Sequence, residues 1–274
     1  MTIDIDLSGQ VAVVTGGGGG IGAGTSAALA AAGAHVVVAE IDEQRAKETV
    51  ERIRAAGHSA DAFVVDVREQ REVERLAAAV LDEHGRADIL VNNVGHHLGA
   101  QSFLDSDPAH WDALHAVNLF HVIACSHAFL PSMVEHGQGS IVNVTSVEGL
   151  RGYPADPVYG AYKAAVAHFT RCLAVDVARH GVRVNAIAPD VTQSLQVDYD
   201  AMVPVEFRDR WPVWVPVGRR GEPEDSADVV LFLASSLSRF VTGQVIPTDG
   251  GTLAAGGWFR TADRGRWTNR PRNP

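Results

Sequence analysis

Cysteine is scarce in this chain of 274 residues, which contains only Cys125 and Cys172. Two thiols cannot build a disulfide scaffold, so the sequence predicts a reducing, cytoplasmic location. Basic residues are also in the minority, because 23 lysines and arginines face 33 acidic residues and leave a net charge of −10. An acidic chain is a poor ligand for nucleic acid unless its basic residues cluster, and we therefore expect no nucleic-acid partner.

Formal charge is missing altogether from residues 7–39, a run long enough to span a bilayer. Nine of those 33 residues are glycine, however, and the run lacks the basic start of a signal peptide. We interpret it as a buried strand, a glycine turn and a buried helix, and expect no membrane partner. The overall composition, 46% hydrophobic and 20% charged, is that of a globular protein.

Short apolar runs alternate with helical stretches along most of the chain. Strands are predicted at residues 10–15, 34–39, 60–65, 87–91, 139–144, 182–188 and 244–247. Helices are predicted at residues 20–32, 42–56, 69–84, 108–136, 158–180 and 222–235. Apolar strands separated by helices predict an α/β fold, a doubly wound, Rossmann-like parallel sheet of seven strands with helices on both faces. We expect one catalytic domain over residues 1–257, with 191–216 as a substrate lid and 258–274 as a basic tail.

A glycine-rich segment, TGGGGGIGAG at residues 15–24, follows the first predicted strand. Gly16, Gly20 and Gly22 fit the pattern T-G-x-x-x-G-x-G, and the run also satisfies G-x-G-x-x-G. Five consecutive glycines satisfy many patterns, so the prediction depends on the position between a strand and a helix. Backbone N–H groups there bind the pyrophosphate of a dinucleotide. The alternative is a merely flexible turn.

Acidic residues at two strand ends bear on the choice of dinucleotide. Glu40 lies about 20 residues after the glycines, where a carboxylate accepts hydrogen bonds from ribose hydroxyls and repels a 2′-phosphate. Arg45 is expected to be too far along the next helix to act as a counterion, so NAD is favoured over NADP. Alternatively, Glu40 caps that helix while Asp42 faces solvent. Asp66 either bonds the adenine amino group or caps the following helix.

Tyr159 and Lys163 are four residues apart and therefore share one face of a predicted helix. A nearby ammonium group lowers the pKa of a tyrosine and makes it a usable acid or base near neutral pH. Tyr162 points away from this pair and is the weaker candidate. Taken alone, the spacing is also common at protein surfaces.

Several motifs in the right order give the chain its resemblance to the short, single-domain branch of the short-chain dehydrogenase/reductase family. Ser146 lies thirteen residues before Tyr159, the usual spacing in that family. The resemblance covers residues 7–252. The matching segments are residues 15–22, 92–95, Asn118, Ser146, Tyr159 with Lys163, 183–189, 223–225, 242–244 and 249–251.

The resemblance implies a role for each catalytic residue. Tyr159 is the general acid/base, Lys163 lowers its pKa and holds the nicotinamide ribose, and Ser146 bonds the substrate oxygen. Asn118 maintains a water-linked proton path. Taken singly, Ser146 could instead cap a strand end and Asn118 satisfy a backbone group. The implied cofactor site contains Gly16, Gly20, Ile21, Gly22, Glu40, Asp66, Val67, Asn93, Gly95, Tyr159, Lys163, Pro189, Val191 and Ser194.

Two further features accompany the resemblance. It implies a homotetramer with the helices at residues 108–136 and 158–180 in one interface. The chain departs from the family at Asp190, where glycine is usual. Ser194 is the best match to a family threonine, with Thr192 as the alternative.

Substrate specificity is expected from loops beyond the carboxyl ends of the strands. The lid is apolar and aromatic, which favours a hydrophobic substrate, although Trp211 and Trp214 could equally pack on the sheet or a neighbouring subunit. His96 and His97 have no acidic or cysteine ligands at helpful spacing, so no metal is predicted. The predicted substrate pocket contains His96, His97, Glu148, Tyr153, Met202, Trp211 and Trp214.

These observations predict an NAD(H)-dependent oxidoreductase that interconverts a hydrophobic secondary alcohol and its ketone. The alternatives are a 3-oxoacyl thioester reductase acting on acyl carrier protein or coenzyme A and, outside enzymes, a nicotinamide-binding regulator. The tail carries five arginines against one acid. It is expected to be partly disordered, to dock on an acidic neighbouring subunit, or to bind coenzyme A phosphates.

Overall fold

The sheet is parallel and has seven strands, in the order β3-β2-β1-β4-β5-β6-β7. The computed structural model describes residues 5–257, 259–260 and 267–268. The predicted doubly wound fold is confirmed, and every strand begins and ends within two residues of its predicted bounds. The strands are β1 Val11–Thr15, β2 His35–Glu40, β3 Ala60–Val64, β4 Ile89–Asn92, β5 Gly139–Val144, β6 Val182–Pro189 and β7 Val245–Thr248.

Helices cover both faces of this sheet, and a short pair of strands follows it. The helices are α1 Gly20–Ala31, α2 Glu43–Ala55, α3 Gln70–His84, α4 Pro108–His115, α5 His121–Glu135, α6 Pro157–Val177, α7 Tyr199–Met202, α8 Trp211–Trp214, α9 Pro223–Ala234 and α10 Thr252–Ala255. Strands β8 Phe259–Arg260 and β9 Trp267–Thr268 pair antiparallel. The remainder of the predicted basic tail lies outside the described residues.

The core consists of two apolar layers, one on each face of the sheet. All five residues of β1 are buried, with Val11 and Val13 in one layer and Ala12 and Val14 in the other. Each face needs its own apolar side chains because helices cover both, which is why these strands are uniformly apolar rather than alternating.

The strand order reverses between β1 and β4, which pair directly, with Thr15 opposite Asn92. Ligands of open α/β sheets bind at such a reversal, beyond the carboxyl ends of the strands. Here it brings the glycine loop after β1 next to the segment after β4.

The predicted helix at residues 108–136 is interrupted by a π-helical turn, Ala116–Phe120, between α4 and α5. Among the described residues this is the one stretch, Pro108–Glu135, that is long and apolar enough to cross a membrane. Half of its most apolar window is buried inside the fold.

Candidate active site

A cleft of about 660 Å³ runs along the carboxyl ends of the strands, from the glycine loop to Tyr159. Nearly all of the predicted cofactor residues line it. The exception is Gly22, which is buried beneath the loop. The predicted residues in the wall are Gly16, Gly20, Ile21, Glu40, Asp66, Val67, Asn93, Gly95, Tyr159, Lys163, Pro189, Val191 and Ser194.

The glycine loop is shaped for close approach of an anion. Gly16 and Gly20 have φ values of 62° and 50°, a conformation that favours glycine. A Cβ at Gly22 would lie 2.0 Å from the Gly16 carbonyl oxygen, so only glycine lets α1 pack this tightly against the loop. The N-cap of α1, Gly19, makes no side-chain capping bond. Unpaired N–H groups at a helix start bind phosphate, so the loop fits a dinucleotide pyrophosphate.

Asn93 fastens this loop to the end of β4. Its Nδ2 atom donates to the carbonyl oxygens of Thr15 and Gly16, each at 3.1 Å. Its backbone N–H donates to Thr15 Oγ1 at 3.1 Å. Thr15 was not among the predicted site residues, although its place at the start of the glycine motif was visible in the sequence.

Glu40 lies at the other end of the cleft with only 6% of its surface exposed. Its carboxylate accepts hydrogen bonds from the backbone N–H groups of Gly18 at 3.2 Å and Ile41 at 3.0 Å. The expectation that Arg45 is remote was wrong, since its Nη2 atom lies 3.3 Å from Glu40 Oε1. Asp42 is the N-cap of α2, so Arg45 falls in the first turn and faces back to the cleft. Glu40 is therefore not the cap of that helix.

Asp66 is held by a neighbouring arginine that the sequence analysis did not anticipate. Arg68 donates from Nε at 2.8 Å and from Nη2 at 2.6 Å, and these bonds lower the pKa of the Asp66 carboxyl group. The N-cap of α3 is Glu69, so Asp66 is not that cap. Arg45 and Arg68 both line the cleft, which gives its adenosine end two cations beside two carboxylates.

The predicted catalytic residues converge at the opposite end. Asp156, the N-cap of α6, accepts the backbone N–H of Tyr159 at 3.0 Å and so fixes the first turn. Lys163 lies one turn later, with Nζ 5.7 Å from the Tyr159 ring centroid. Ser146 follows β5 and lies close enough to Tyr159 to lower the pKa of its phenol.

Burial dominates the electrostatics of this group. Burial raises the pKa of Tyr159, and the neighbouring Ser146 side chain lowers it by a smaller amount. Burial, and not the ammonium group of Lys163, dominates the pKa of Tyr159 in this structure; Lys163 Nζ donates to the Val144 carbonyl oxygen at 3.1 Å. Burial also lowers the pKa of Lys163 to about 8, which reduces its charge near neutral pH.

Asn118 is fully buried within the π-helical turn, one layer behind the cleft wall. Its Nδ2 atom donates to the carbonyl oxygens of Leu114 at 3.0 Å and His96 at 2.8 Å, and its Oδ1 atom accepts from His96 N–H at 3.1 Å. The bond to Leu114 joins the Asn118 side chain to the carbonyl group four residues earlier in the same helical stretch, next to the π-helical turn. A Cβ at Gly95 would lie 3.2 Å from Asn118 Oδ1 and 2.6 Å from Lys163 Nζ, so this glycine lets the backbone approach both.

The predicted substrate residues divide between two cavities. His96, His97, Glu148 and Tyr153 line the cofactor cleft, and Tyr153 meets Tyr159 edge-on at 5.9 Å. A second chamber of about 490 Å³ adjoins it, lined on one side by Trp211 and Trp214. Tyr199, which was not predicted, lines both cavities.

Met202 contradicts the expectation that it belongs to the substrate pocket. It is the last residue of the short helix α7, 65% exposed, and lines neither cavity. Trp211 instead packs edge-on against Tyr199 at 5.5 Å, and Trp214 against Phe259 at 5.6 Å. The two tryptophans therefore form the wall of a chamber, and the lid segment contributes its aromatic residues to it.

Comparison with known proteins places this geometry in a family. The profile described as enoyl-(acyl carrier protein) reductase matches residues 16–252. The chain belongs to the short-chain dehydrogenase/reductase family. As a member, it is an oxidoreductase acting on CH–OH groups with a nicotinamide cofactor, and the family resemblance of its motifs is confirmed.

Its relatives in this family act on different substrates. It is 36% identical to the 3-oxoacyl-[acyl-carrier-protein] reductase FabG of Thermotoga maritima, over 90% of this chain and 99% of the relative. It is 40% identical to galactitol 2-dehydrogenase of Rhizobium johnstonii, over 89% of this chain and 95% of the relative. The crystal structure of levodione reductase matches with a TM-score of 0.84 at 32% identity, over 90% of this chain and 99% of the solved one.

Proposed function

We propose that the chain interconverts a hydrophobic secondary alcohol and its ketone, with NAD(H) as hydride carrier and Tyr159 as general acid/base. The observation that carries this proposal is the position of Tyr159, Ser146 and Lys163 in one cleft with the glycine loop. A bound nicotinamide supplies the hydride acceptor or donor.

In the reducing direction, the Tyr159 hydroxyl group donates a proton to the carbonyl oxygen as the carbonyl carbon gains a hydride. Ser146 holds that oxygen by a hydrogen bond, which positions the substrate for transfer. Lys163 is buried and becomes a stronger partner for phenolate when protonated, so it stabilises Tyr159 after the proton has left. Asn118 holds the segment at His96 that forms the wall beside Lys163.

The preference for NAD depends on Glu40. Its buried carboxylate lies beside Gly18, where it accepts ribose hydroxyls and opposes a 2′-phosphate. Arg45 and Arg68 are cations that could bind a 2′-phosphate. Discrimination between NAD and NADP is therefore assigned to the Glu40 carboxylate and not to a lack of positive charge.

The hydrophobic character of the substrate is inferred from the second chamber. Its described walls include Val203, Phe207, Trp211, Trp214 and Phe259, and a chamber of this volume accommodates a cyclic or bicyclic molecule. Levodione reductase, one of the structural neighbours, is named for a ketone substrate.

A second candidate is reduction of a 3-oxoacyl thioester, favoured by the similarity to the Thermotoga maritima reductase. The chemistry at Tyr159 would be the same, with the acyl chain in the aromatic chamber. Glu40 argues against the NADP preference expected of such an enzyme.

We also propose a homotetramer in a reducing, cytoplasmic setting. Ile123 on α5 and Val175 on α6 are apolar and exposed, at 43% and 83%, on two helices that the family resemblance assigns to an interface. Light scattering coupled to size-exclusion chromatography gives the mass directly, and a pure monomer would contradict this proposal.

The function is tested by following the absorbance of reduced nicotinamide with a panel of cyclic ketones and with an acetoacetyl thioester. NADH and NADPH are compared in parallel. We expect turnover of cyclic ketones with NADH. Preference for the thioester with NADPH would favour the second candidate, and tight NADH binding without any turnover would favour a nicotinamide-binding regulator.

A further inference from the structure

A charged network lies at the junction of the cofactor cleft and the aromatic chamber. Asp190 and Tyr199 line both cavities, Glu148 lines the cleft, and Arg151 lines the chamber. Arg151 Nη2 donates to Glu148 Oε1 at 2.8 Å and to Asp190 Oδ2 at 3.0 Å. Arg151 and Asp190 are the charged side chains among the described residues of the chamber wall.

Both carboxylate oxygens of Asp190 accept hydrogen bonds from this network or from the turn that follows it. Its Oδ2 atom accepts from Arg151 and also from Thr252 Oγ1 at 2.5 Å, and its Oδ1 atom accepts from Val191 N–H at 2.9 Å. Val191 has a φ of 44°, a strained conformation for a β-branched residue. Asp190, which stands where the family resemblance predicts glycine, thus positions both the arginine and the turn.

Arg151 retains donor capacity. Its Nε and Nη2 groups face the two carboxylates, whereas Nη1 makes no hydrogen bond within the described part of the chain. An arginine that is fixed by two carboxylates and lines an apolar chamber offers this donor to a ligand at little cost in conformational entropy.

We infer that Arg151 is a substrate-binding residue that recognises a second, uncharged oxygen on the substrate, with Asp190 as its positioning residue. This inference rests on the proposed function and narrows its substrate class to hydroxyketones, diketones and the matching diols with an apolar ring. Glu148, Arg151 and Asp190 together carry one net negative charge. That charge disfavours a carboxylate at this position, whereas a neutral carbonyl or hydroxyl oxygen accepts from Nη1 without repulsion.

The test compares three ketones of similar size: cyclohexanone, 2-hydroxycyclohexanone and 3-oxocyclohexanecarboxylate. For the wild-type enzyme with NADH, we expect kcat/KM for the hydroxyketone to exceed that for cyclohexanone by about tenfold. A hydrogen bond from a charged donor typically stabilises a complex by at least the free energy that a tenfold ratio represents. The carboxylate should be the poorest substrate. Arg151→Met should reduce the ratio of kcat/KM for the hydroxyketone to kcat/KM for cyclohexanone to about twofold or less, mainly through the KM of the hydroxyketone.

Two further variants separate positioning from general damage. Asp190→Asn keeps the shape of the side chain but weakens its hold on Arg151, and should lose part of the hydroxyketone advantage. Arg75→Gln removes an arginine that pairs with Glu72 on α3 outside both cavities, and should behave like the wild type. An unchanged hydroxyketone preference in Arg151→Met would overturn the inference.

A binding measurement distinguishes failure of this inference from failure of the proposed function. Calorimetric titration of cyclohexane-1,2-diol into the NAD-loaded protein is compared between wild type and Arg151→Met. Diol binding that depends on Arg151 without turnover of any ketone would support the inference and contradict the proposed activity. Turnover without any Arg151 dependence would do the reverse, and absence of both turnover and diol binding would contradict both.

Discussion

Gly95→Ala is predicted to disable the catalytic group by steric displacement of Lys163. The new Cβ would lie 2.6 Å from Lys163 Nζ and 3.2 Å from Asn118 Oδ1, whereas ordinary contacts begin at 3.4 Å. Nζ must therefore move by about 0.8 Å in a buried site where it bonds Val144. A misplacement of about 1 Å costs roughly 100-fold in rate, and overpacking costs about 1–3 kcal/mol of stability.

The assay combines steady-state kinetics on a cyclic ketone with NADH and urea unfolding of the same preparations. We expect kcat to fall roughly 100-fold and the free energy of unfolding by about 1–3 kcal/mol. Gly152→Ala is the matched control, because a Cβ there meets no described atom within 4 Å and its backbone is not left-handed. A Gly95→Ala enzyme with the wild-type kcat would refute the argument that Lys163 needs this space.

Three other substitutions test separate parts of the site. Glu40→Gln should raise the ratio of NADP to NAD kcat/KM about tenfold or more, because the repelling carboxylate is gone while the nearby arginines remain. His121 is fully buried, and burial lowers its pKa to about 3. Below about pH 6.5 the unfolded chain therefore binds a proton at this histidine and the folded chain does not. The free energy of unfolding should fall as the pH decreases from about 6.5 towards 3. His121→Leu should remove that loss, which amounts to about 2 kcal/mol between about pH 7 and 5, measured by urea unfolding at both pH values. Asn118→Asp replaces two donors to the carbonyl oxygens of Leu114 and His96 by an acceptor, and should cost about 2–4 kcal/mol of unfolding free energy and most of the activity, measured by thermal unfolding and ketone reduction.

The strands were predictable because both faces of the sheet are covered. Their β-branched runs, such as residues 36–38, stand out from the amphipathic pattern of α2 and α3. The π-helical turn was not predicted, because residues 108–136 have the composition of one continuous helix. Sequence spacing identifies Asn118 as a candidate but does not reveal that it lies in this turn and donates to the Leu114 carbonyl oxygen.

The positions of Arg45 and Met202 show where reasoning along the chain fails. Asp42 caps α2 and accepts the backbone N–H of Arg45, which places Arg45 in the first turn of the helix, beside the cleft. This position depends on the capping geometry. Met202 is exposed at the end of α7, a single turn capped by Asp198, and a one-turn helix has no apolar periodicity that would indicate its buried side. Tertiary contacts across the lid likewise decide which aromatic residues line the chamber.

The central claim is that Tyr159 transfers the proton in a nicotinamide-dependent reduction, and it is tested most directly by comparing wild type with Tyr159→Phe. The measurement is single-turnover oxidation of bound NADH by a ketone substrate, with NADH affinity determined separately on both proteins. We expect Tyr159→Phe to bind NADH with wild-type affinity and to oxidise it at least about 100-fold more slowly, the lower range for general acid catalysis. Equal rates in the two proteins would contradict the account.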